Sequence, residues 1–439
     1  MATRNRIFVS IAAYRDPELA RTVRDLISLA ARPQALTVAV FDQSEKPIAP
    51  PSCARGAKVI IDHCHPSESD GACWARSRVQ QRMDGEDFFF QLDAHHVFKP
   101  GWDALLLSEF DACPSAKPVL TSYLPPYEVK RGVPRINAPS ATPMHFSHFD
   151  HDGVIIYRSY SYLQETAVPP QPARFFSAHF AFARREFVHE VPYDPELYFY
   201  GEESTMAARA FTHGFDLFHP GRTIAWHHYL RVGKPRHWDD HAPGKLQGKS
   251  FLAKHQSGLA KYRRIFCLLP YVCPKDGLGP HRSLSQYEAM AGVDHYWNVT
   301  HPSTVNLQPP PSASSAEWTT DEKLLTKAEL CVQLPRLNQV DRRPSSEIHL
   351  AVIDATSHDA AAARVTPEGY STLQKTGWQV STRYRSAPLR LVVWPLVTGV
   401  GWGRKFESHL DLDKVLAPLP AEEVRNGRKP RRRRLTSAA

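Results

Sequence analysis

Apolar positions in the first hundred residues fall into short continuous runs separated by helix-period stripes. Ile7 to Tyr14, Leu36 to Phe41, Lys58 to Ile61 and Phe88 to Leu92 are runs of strand length. Continuous runs of this kind suit strands buried on both faces of a mainly parallel sheet. After the first run, Leu19, Val23, Leu26, Ile27 and Ala30 form a 3.6-residue stripe. Asp16 and Pro17 before it read as N-cap and first helical residue. Gly71 to Arg76 opens a second helix with Val79 and Met83 inward, and Gly101-Trp102-Asp103 opens a third through Leu105, Leu106 and Phe110. Strand–helix alternation predicts an α/β fold with a parallel sheet and right-handed crossovers.

Further along, Pro118 to Tyr123, Val154 to Tyr157, Phe175 to Phe182, Phe215 to Phe218 and Thr223 to Trp226 read as strands, and Ser204 to His213 as a helix. Residues 124–150 are rich in Pro and His without periodicity, which predicts a long loop on the substrate side. Beyond about residue 265 the texture changes, and residues 301–316 are dense in Pro and Ser like a linker. Ile348 to Ile353, Trp378 to Tyr384 and Leu389 to Trp394 then alternate like strands with no helix of useful length, which predicts a small β-sandwich. The expected organisation is a catalytic domain over 1–265, an extension and linker over 266–339, a β domain over 340–418 and a basic tail over 419–439.

A chain of 439 residues with 42% hydrophobic residues is long enough for two or three domains and a sizeable core. No apolar run approaches the ~20 residues of a membrane span. Met1 to Arg6 leads straight into a strand without a signal-like segment, so a cytoplasmic location is expected. The seven cysteines lack paired spacing and read as reduced thiols. About half of the net charge of +9 lies in the tail, where seven positives fall between Arg425 and Arg434 against Glu422 and Glu423. A charge block without aromatic platforms is weak evidence for nucleic-acid binding and leaves an acidic partner as the tail's natural contact.

Candidate chemistry begins where the Phe88–Leu92 run stops. Asp93, Ala94 and His95 follow where a central strand emerges, and open α/β sheets bind ligands at that edge. Asp93 and His95, two apart in extended chain, can face one cation. An oxygen with an imidazole nitrogen suits Mn²⁺ better than Ca²⁺. The plainer reading is a strand end followed by a polar turn. The pair His227-His228 is a second candidate, with His228 ranked lower because strand alternation turns it to the other face.

Five stretches together resemble the N-acetylglucosaminyltransferases that modify hydroxyproline in Skp1-type proteins, and their bacterial relatives. They are Val9 to Leu19, Gly71 to Arg76, Gln91 to His95, Gly201 to Arg209 and Trp226 to Arg231. Asp-Ala-His stands where many members have Asp-Ser-His, and the C-terminal half lies outside the clearest match. The resemblance implies the nucleotide-sugar transferase (GT-A) fold, a UDP-sugar donor, Mn²⁺ or Mg²⁺, and retention of anomeric configuration. It implies Asp93, His95 and His227 as metal ligands, and Tyr14, Arg15, Asp42, Trp74, Arg76 and Asp93 as donor-binding residues. Glu202 and Glu203 are placed near the sugar as the catalytic pair, without division of roles. Each has an ordinary alternative: surface ion pairing for Arg15, core packing for Trp74, a strand-end position for Asp42, and helix-dipole stabilisation for the two glutamates.

A donor sugar other than N-acetylglucosamine stays open, as does a protein or glycan hydroxyl as acceptor. Two non-enzymatic readings also stand beside the transferase: a nucleic-acid-binding protein acting through the Arg tail, and a carbohydrate-binding protein using Trp378, Trp394 and Trp402.

Overall fold

A computed structural model of the chain describes residues 5–52, 54–136, 143–150, 152–159, 168–229, 235–241, 251–266, 277–295, 298–305, 308, 326–353, 359–384, 388–411 and 415. The basic tail and most of the Pro/Ser-rich stretch lie outside them. Two compact units are present, Met1–Asp321 and Glu322–Ala439.

The first unit runs β1 (Ile7–Tyr14), α1 (Leu19–Leu29), β2 (Leu36–Gln43), β3 (Lys58–Cys64), α2 (Ala72–Gln80), β4 (Phe88–Asp93), β5 (His96–Phe98), α3 (Trp102–Asp111) and β6 (Pro118–Thr121). Next come β7 (Tyr127–Lys130), β8 (Val133–Ile136), β9 (Met144–Phe149), β10 (Ile155–Ser159), β11 (Gln171–Pro172), β12 (Phe180–Arg184), α4 (Glu186–Glu190), α5 (Glu202–Thr212), β13 (Asp216–His219) and β14 (Ala225–His227). The helices α6 (His237–Asp240), α7 (Phe251–Ile265) and α8 (Leu284–Ala291) follow. Eight strands form one mixed sheet in the order β11-β13-β6-β12-β4-β1-β2-β3. It is parallel from β4 through β3 and between β6 and β13; β12 runs antiparallel between β4 and β6.

Side-chain alternation divides the sheet into two buried faces. Val9, Ile11, Val40, Phe90 and Leu92 belong to one core with Leu26 of α1 and Trp102 of α3. Phe8, Phe41, Phe89 and Ala181 belong to the other with Val79 of α2, Met206 of α5 and Tyr287 of α8. The period of two therefore sends Asp93, in phase with Phe89 and Gln91, to the α2–α5 side. This parity decides the site.

Several expectations are corrected. Asp16 is not the N-cap of α1, which begins after Glu18; its carboxylate is taken by the Glu18 amide and by His95. Residues 124–150 hold the β7–β8 hairpin and β9, which pairs with β10, because short local ladders satisfy the backbone where helical periodicity is missing. The strand expected over Phe175 to Phe182 starts only at Phe180; the Ser177 amide donates to Thr121 Oγ1 instead of a ladder partner. Part of the 266–339 extension joins the first unit's core through Tyr287, Ala291 and Val293.

In the second unit, five strands pair as Asp359–Val365, Ser345–Ile353, Arg390–Val397 and Gly401–Trp402, with Phe406–His409 also on Arg390–Val397. Thr326–Val332 pairs with Trp378–Tyr384, so the unit begins before residue 340. A helix absent from the expectation, Pro367–Thr376, is capped by Thr366 Oγ1 accepting from the Gly369 amide at 3.1 Å. It buries Tyr370 in a core with Leu350, Leu391 and Trp378. Trp378 is thus a core residue; Trp402 is exposed and Trp394 half-buried.

Phe90 is fully buried and its ring meets those of Trp102 at 5.3 Å and Phe180 at 5.4 Å. Phe90→Ala should lower stability by about 3–5 kcal/mol, read as a shifted urea midpoint. A change under about 1 kcal/mol would show that the two sheet faces do not depend on this ring.

Candidate functional site

At the carboxyl end of β4 the chain turns polar and immediately enters β5. The antiparallel pairing of β5 with β14 sets His227 opposite His96, and the His228 amide donates to the His95 carbonyl at 3.2 Å. This pairing carries a late segment to the strand end that holds Asp93. Ligand atoms of Asp93, His95 and His227 lie within 4.8 Å of one another. His227 Nε2 is 3.5 Å and His95 Nε2 4.0 Å from Asp93 Oδ2.

The surroundings explain how the triad is held. Asp16 Oδ2 lies 2.7 Å from His95 Nδ1. An ionised carboxylate can only accept, so Nδ1 carries the proton and Nε2 is left as a free lone pair. Among the described residues, neither ring nitrogen of the buried His227 has a hydrogen-bond partner. Burial, opposed by Asp93, lowers its pKa to about 3, which keeps the ring neutral. Two imidazoles and a carboxylate converging on one point are a fitting donor set for a divalent cation such as Mn²⁺, and such an ion would engage the unsatisfied His227 Nε2.

Arg76, buried on α2, joins the triad to the glutamates. Its Nη2 donates to Asp93 Oδ1 at 2.7 Å and its Nη1 is paired with Glu202 Oε1. Burial works to raise the Asp93 pKa, yet His227, Arg76 and His95 hold it well below the usual carboxylate range. One Asp93 oxygen is therefore committed to Arg76 and the other faces the histidines. Gly71, at the start of α2, has φ of +102° and an added Cβ would sit 2.5 Å from the Tyr198 ring. Gly201, with φ of +79°, starts α5 against Tyr262 in the same manner.

Glu203 is held differently. Its Oε1 accepts from the Ala178 amide at 2.9 Å and its Oε2 from the Tyr123 hydroxyl at 3.0 Å. Burial pushes its pKa up to about 7, with the neighbouring Glu202 charge adding to the rise.

A cavity of about 300 Å³ opens over the triad, lined by Tyr14, Arg76, Asp93, His95 and His227 among others. Glu202 and Glu203 do not line it; they stand behind Arg76 and Tyr123. Tyr14 and Arg15 both reach Asp240 of α6, at 2.8 and 2.6 Å. Asp42 is buried, and its Oδ2 accepts from the Ile48 amide at 2.9 Å. Trp74 packs edge-on against Phe41 at 5.2 Å between ring centroids. The structure thus brings together Asp93, His95, His227, Arg76 and Glu202, and leaves Asp42 and Trp74 off the cavity wall.

The sequence reading gave Asp16 another role, ranked His228 lower and missed His179. Asp16 orients His95 from the β1–α1 turn. His228 lines the cavity after all, since β14 ends at His227 and strand alternation no longer applies; its Nδ1 is 2.5 Å from Glu18 Oε1. His179 stacks on His227 at 4.2 Å and is signalled only by a histidine inside an apolar run.

The chain belongs to the glycosyltransferase (GlcNAc) family, which it matches over residues 6–55 and 47–296. No curated protein matches it. Among solved structures, TarS of S. aureus in complex with UDP is similar at 11% identity and a TM-score of 0.31, over 50% of this chain and 59% of that one. GalNAc-T7 with UDP, GalNAc and Mn²⁺ gives 15% identity and 0.44, over 93% and 72%. A mannosyltransferase from Pyrobaculum calidifontis with GDP-Man and Mn²⁺ gives 14% and 0.34, over 53% and 59%. The chain thus spans about three fifths of the length of the TarS structure.

The buried histidines set a pH dependence. Burial holds His96 and His227 down to about 3 and His219 to about 4, from an ordinary 6.5. The unfolded chain takes up these protons first, so their contribution is complete above about pH 6.5 and is lost as pH falls toward 3–4. Without divalent cation, the unfolding free energy should fall between pH 7 and 5 by up to about 1.4 kcal/mol per pH unit for each histidine. A flat urea midpoint over that range would show that these rings titrate normally.

Proposed function

We propose that this protein is a metal-dependent retaining glycosyltransferase that moves N-acetylglucosamine from a UDP-sugar to a hydroxyl group of a protein or glycan. The observation that carries this reading is the convergence of Asp93, His95 and His227 at the mouth of β4, beside a cavity, in a chain of a glycosyltransferase family. A divalent cation held there would supply Lewis acidity to a departing diphosphate.

The chain's own residues divide the remaining work. Asp16 fixes the His95 tautomer so that Nε2 stays available. Arg76 holds Asp93 in its ionised form and turned toward the histidines, and Glu202 neutralises the far end of the same guanidinium. With two carboxylates on one guanidinium this cluster is not itself a positive site, so positive charge beside the leaving group would come from a cation held by Asp93, His95 and His227. Glu203, partnered by Tyr123 and the Ala178 amide, stands off the cavity wall and would bear on the donor only through the residues it positions. In a retaining reaction the acceptor oxygen enters on the leaving-group side and passes its proton to the departing phosphate, so no free base is required. If Glu203 with its raised pKa served instead as a general base, the product anomer would be inverted.

A panel of sugar nucleotides with Mn²⁺, followed by donor hydrolysis and product-anomer NMR, tests donor and stereochemistry together. UDP-N-acetylglucosamine should be consumed fastest, with the anomer retained. Preference for another sugar nucleotide would replace the donor, and an inverted product would reject retention. Asp93→Ala and His227→Ala should each abolish UDP–Mn²⁺ binding in calorimetry, and undiminished affinity in either would remove that residue from the site.

Glu202→Gln and Glu203→Gln keep size and remove charge. At least one should lower turnover by about two to three powers of ten with UDP affinity nearly unchanged. If neither acts on the sugar, kinetics stay at wild type; Glu203→Gln then costs about 0.3–1 kcal/mol of stability, and Glu202→Gln costs more because it weakens the ion pair with the buried Arg76.

A further inference from the structure

The segment 235–241 forms one wall of the cavity and is fastened at both ends of α6. At the α6 carboxyl end, Asp240 Oδ2 accepts from the Tyr14 hydroxyl at 2.8 Å and from Arg15 Nη1 at 2.6 Å. At the amino end, His237 Nδ1 lies 2.7 Å from the Tyr198 hydroxyl, which is 3.2 Å from His241 Nδ1. Arg15 is held to this task in a left-handed backbone conformation, φ +45°, which a side chain other than glycine rarely adopts. A wall fixed this firmly presents its remaining side chains at defined places.

Those side chains are Arg236 and Trp238, and both line the cavity together with Phe199. Trp238 and Phe199 lie 5.2 Å apart with their ring planes inclined by 58°. Phe199 is 40% exposed, and its carbonyl accepts from the Glu202 amide, so this ring belongs to the turn that starts α5. The Arg236 guanidinium lies 5.2 Å from the Trp238 ring centroid. The exposed Phe199 ring and the half-buried Trp238 ring together present an apolar surface on the wall of a polar cavity.

We infer that Trp238 and Phe199 form the acceptor platform of this site, seating the C–H face of a pyranose ring, with Arg236 placed for its hydroxyls and Asp240 as the positioning residue of the wall. The inference rests on the transferase reading above. The inclined pair leaves a notch against which the C–H face of a puckered saturated ring can pack. The guanidinium supplies several donors in a plane beside that notch, the complement a sugar's hydroxyl oxygens require.

The test is saturation-transfer NMR on the full chain with UDP and Mn²⁺, using methyl β-D-glucopyranoside and methyl N-acetyl-β-D-glucosaminide as probes. Ring C–H protons of at least one glycoside should receive saturation, and Trp238→Ala or Phe199→Ala should weaken that binding about tenfold or more. Trp238→Tyr, which keeps a ring, should restore most of it. Asp240→Ala should weaken it while near-ultraviolet circular dichroism stays native. Absence of glycoside binding to the unaltered protein would overturn the inference. So would Trp238-dependent binding of serine-, threonine- or hydroxyproline-containing peptides in place of glycosides, or loss of UDP affinity in Trp238→Ala with glycoside binding intact. UDP affinity is measured in parallel by calorimetry, so that a failure of the transferase reading is seen separately from a failure of the platform.

Discussion

Arg76 is a permanently charged group placed where water cannot reach it, and the site is arranged around that fact. A buried guanidinium is tolerated only when its donors meet carboxylates with good geometry. Asp93 and Glu202 meet it from opposite ends, one from the sheet and one from the first turn of α5. Removing either would leave guanidinium donors without their partner in the interior, so the three residues form one electrostatic unit. The same unit fixes which oxygen of Asp93 remains for the histidines.

The histidines impose a second constraint that only the late strand can satisfy. His227 reaches the β4 end because β14 pairs with the three-residue strand that follows Asp93, and its ring is wedged against His179 and Tyr229. Desolvation there keeps the imidazole neutral, the form that can act as a ligand. Asp16 acts on His95 differently, accepting from Nδ1 and so orienting the ring with Nε2 toward Asp93. The Glu18–His228 pair repeats the carboxylate–imidazole couple on the same cavity wall.

Much of this was legible in the chain because it rests on short-range rules. A continuous apolar run that ends in Asp93 announces a buried strand and its functional edge, and parity along it places Asp93 with Gln91. Glu202 and Glu203 were readable as first-turn residues of a helix. Errors came where a side chain's partner is distant. Asp16 has the composition of an N-cap, and nothing nearby in sequence reveals that His95 claims it. Thr366 and Pro367 do announce a helix start, but the expectation of a β-only unit overrode a signal that the structure honours.

By itself the sequence determined the strand runs, the helix stripes, the mixed α/β character and the identity of the metal-ligand candidates, because periodicity and residue chemistry are local properties. Tertiary structure alone decided which candidates meet. It turned Arg76 toward two carboxylates, put Glu202 behind that guanidinium, and kept His228 on the cavity by ending β14 one residue earlier. It also gave Tyr14 and Arg15 to Asp240. The reason is that hydrogen bonds and ion pairs between residues far apart in sequence depend on strand order and register, which follow from packing the whole sheet at once.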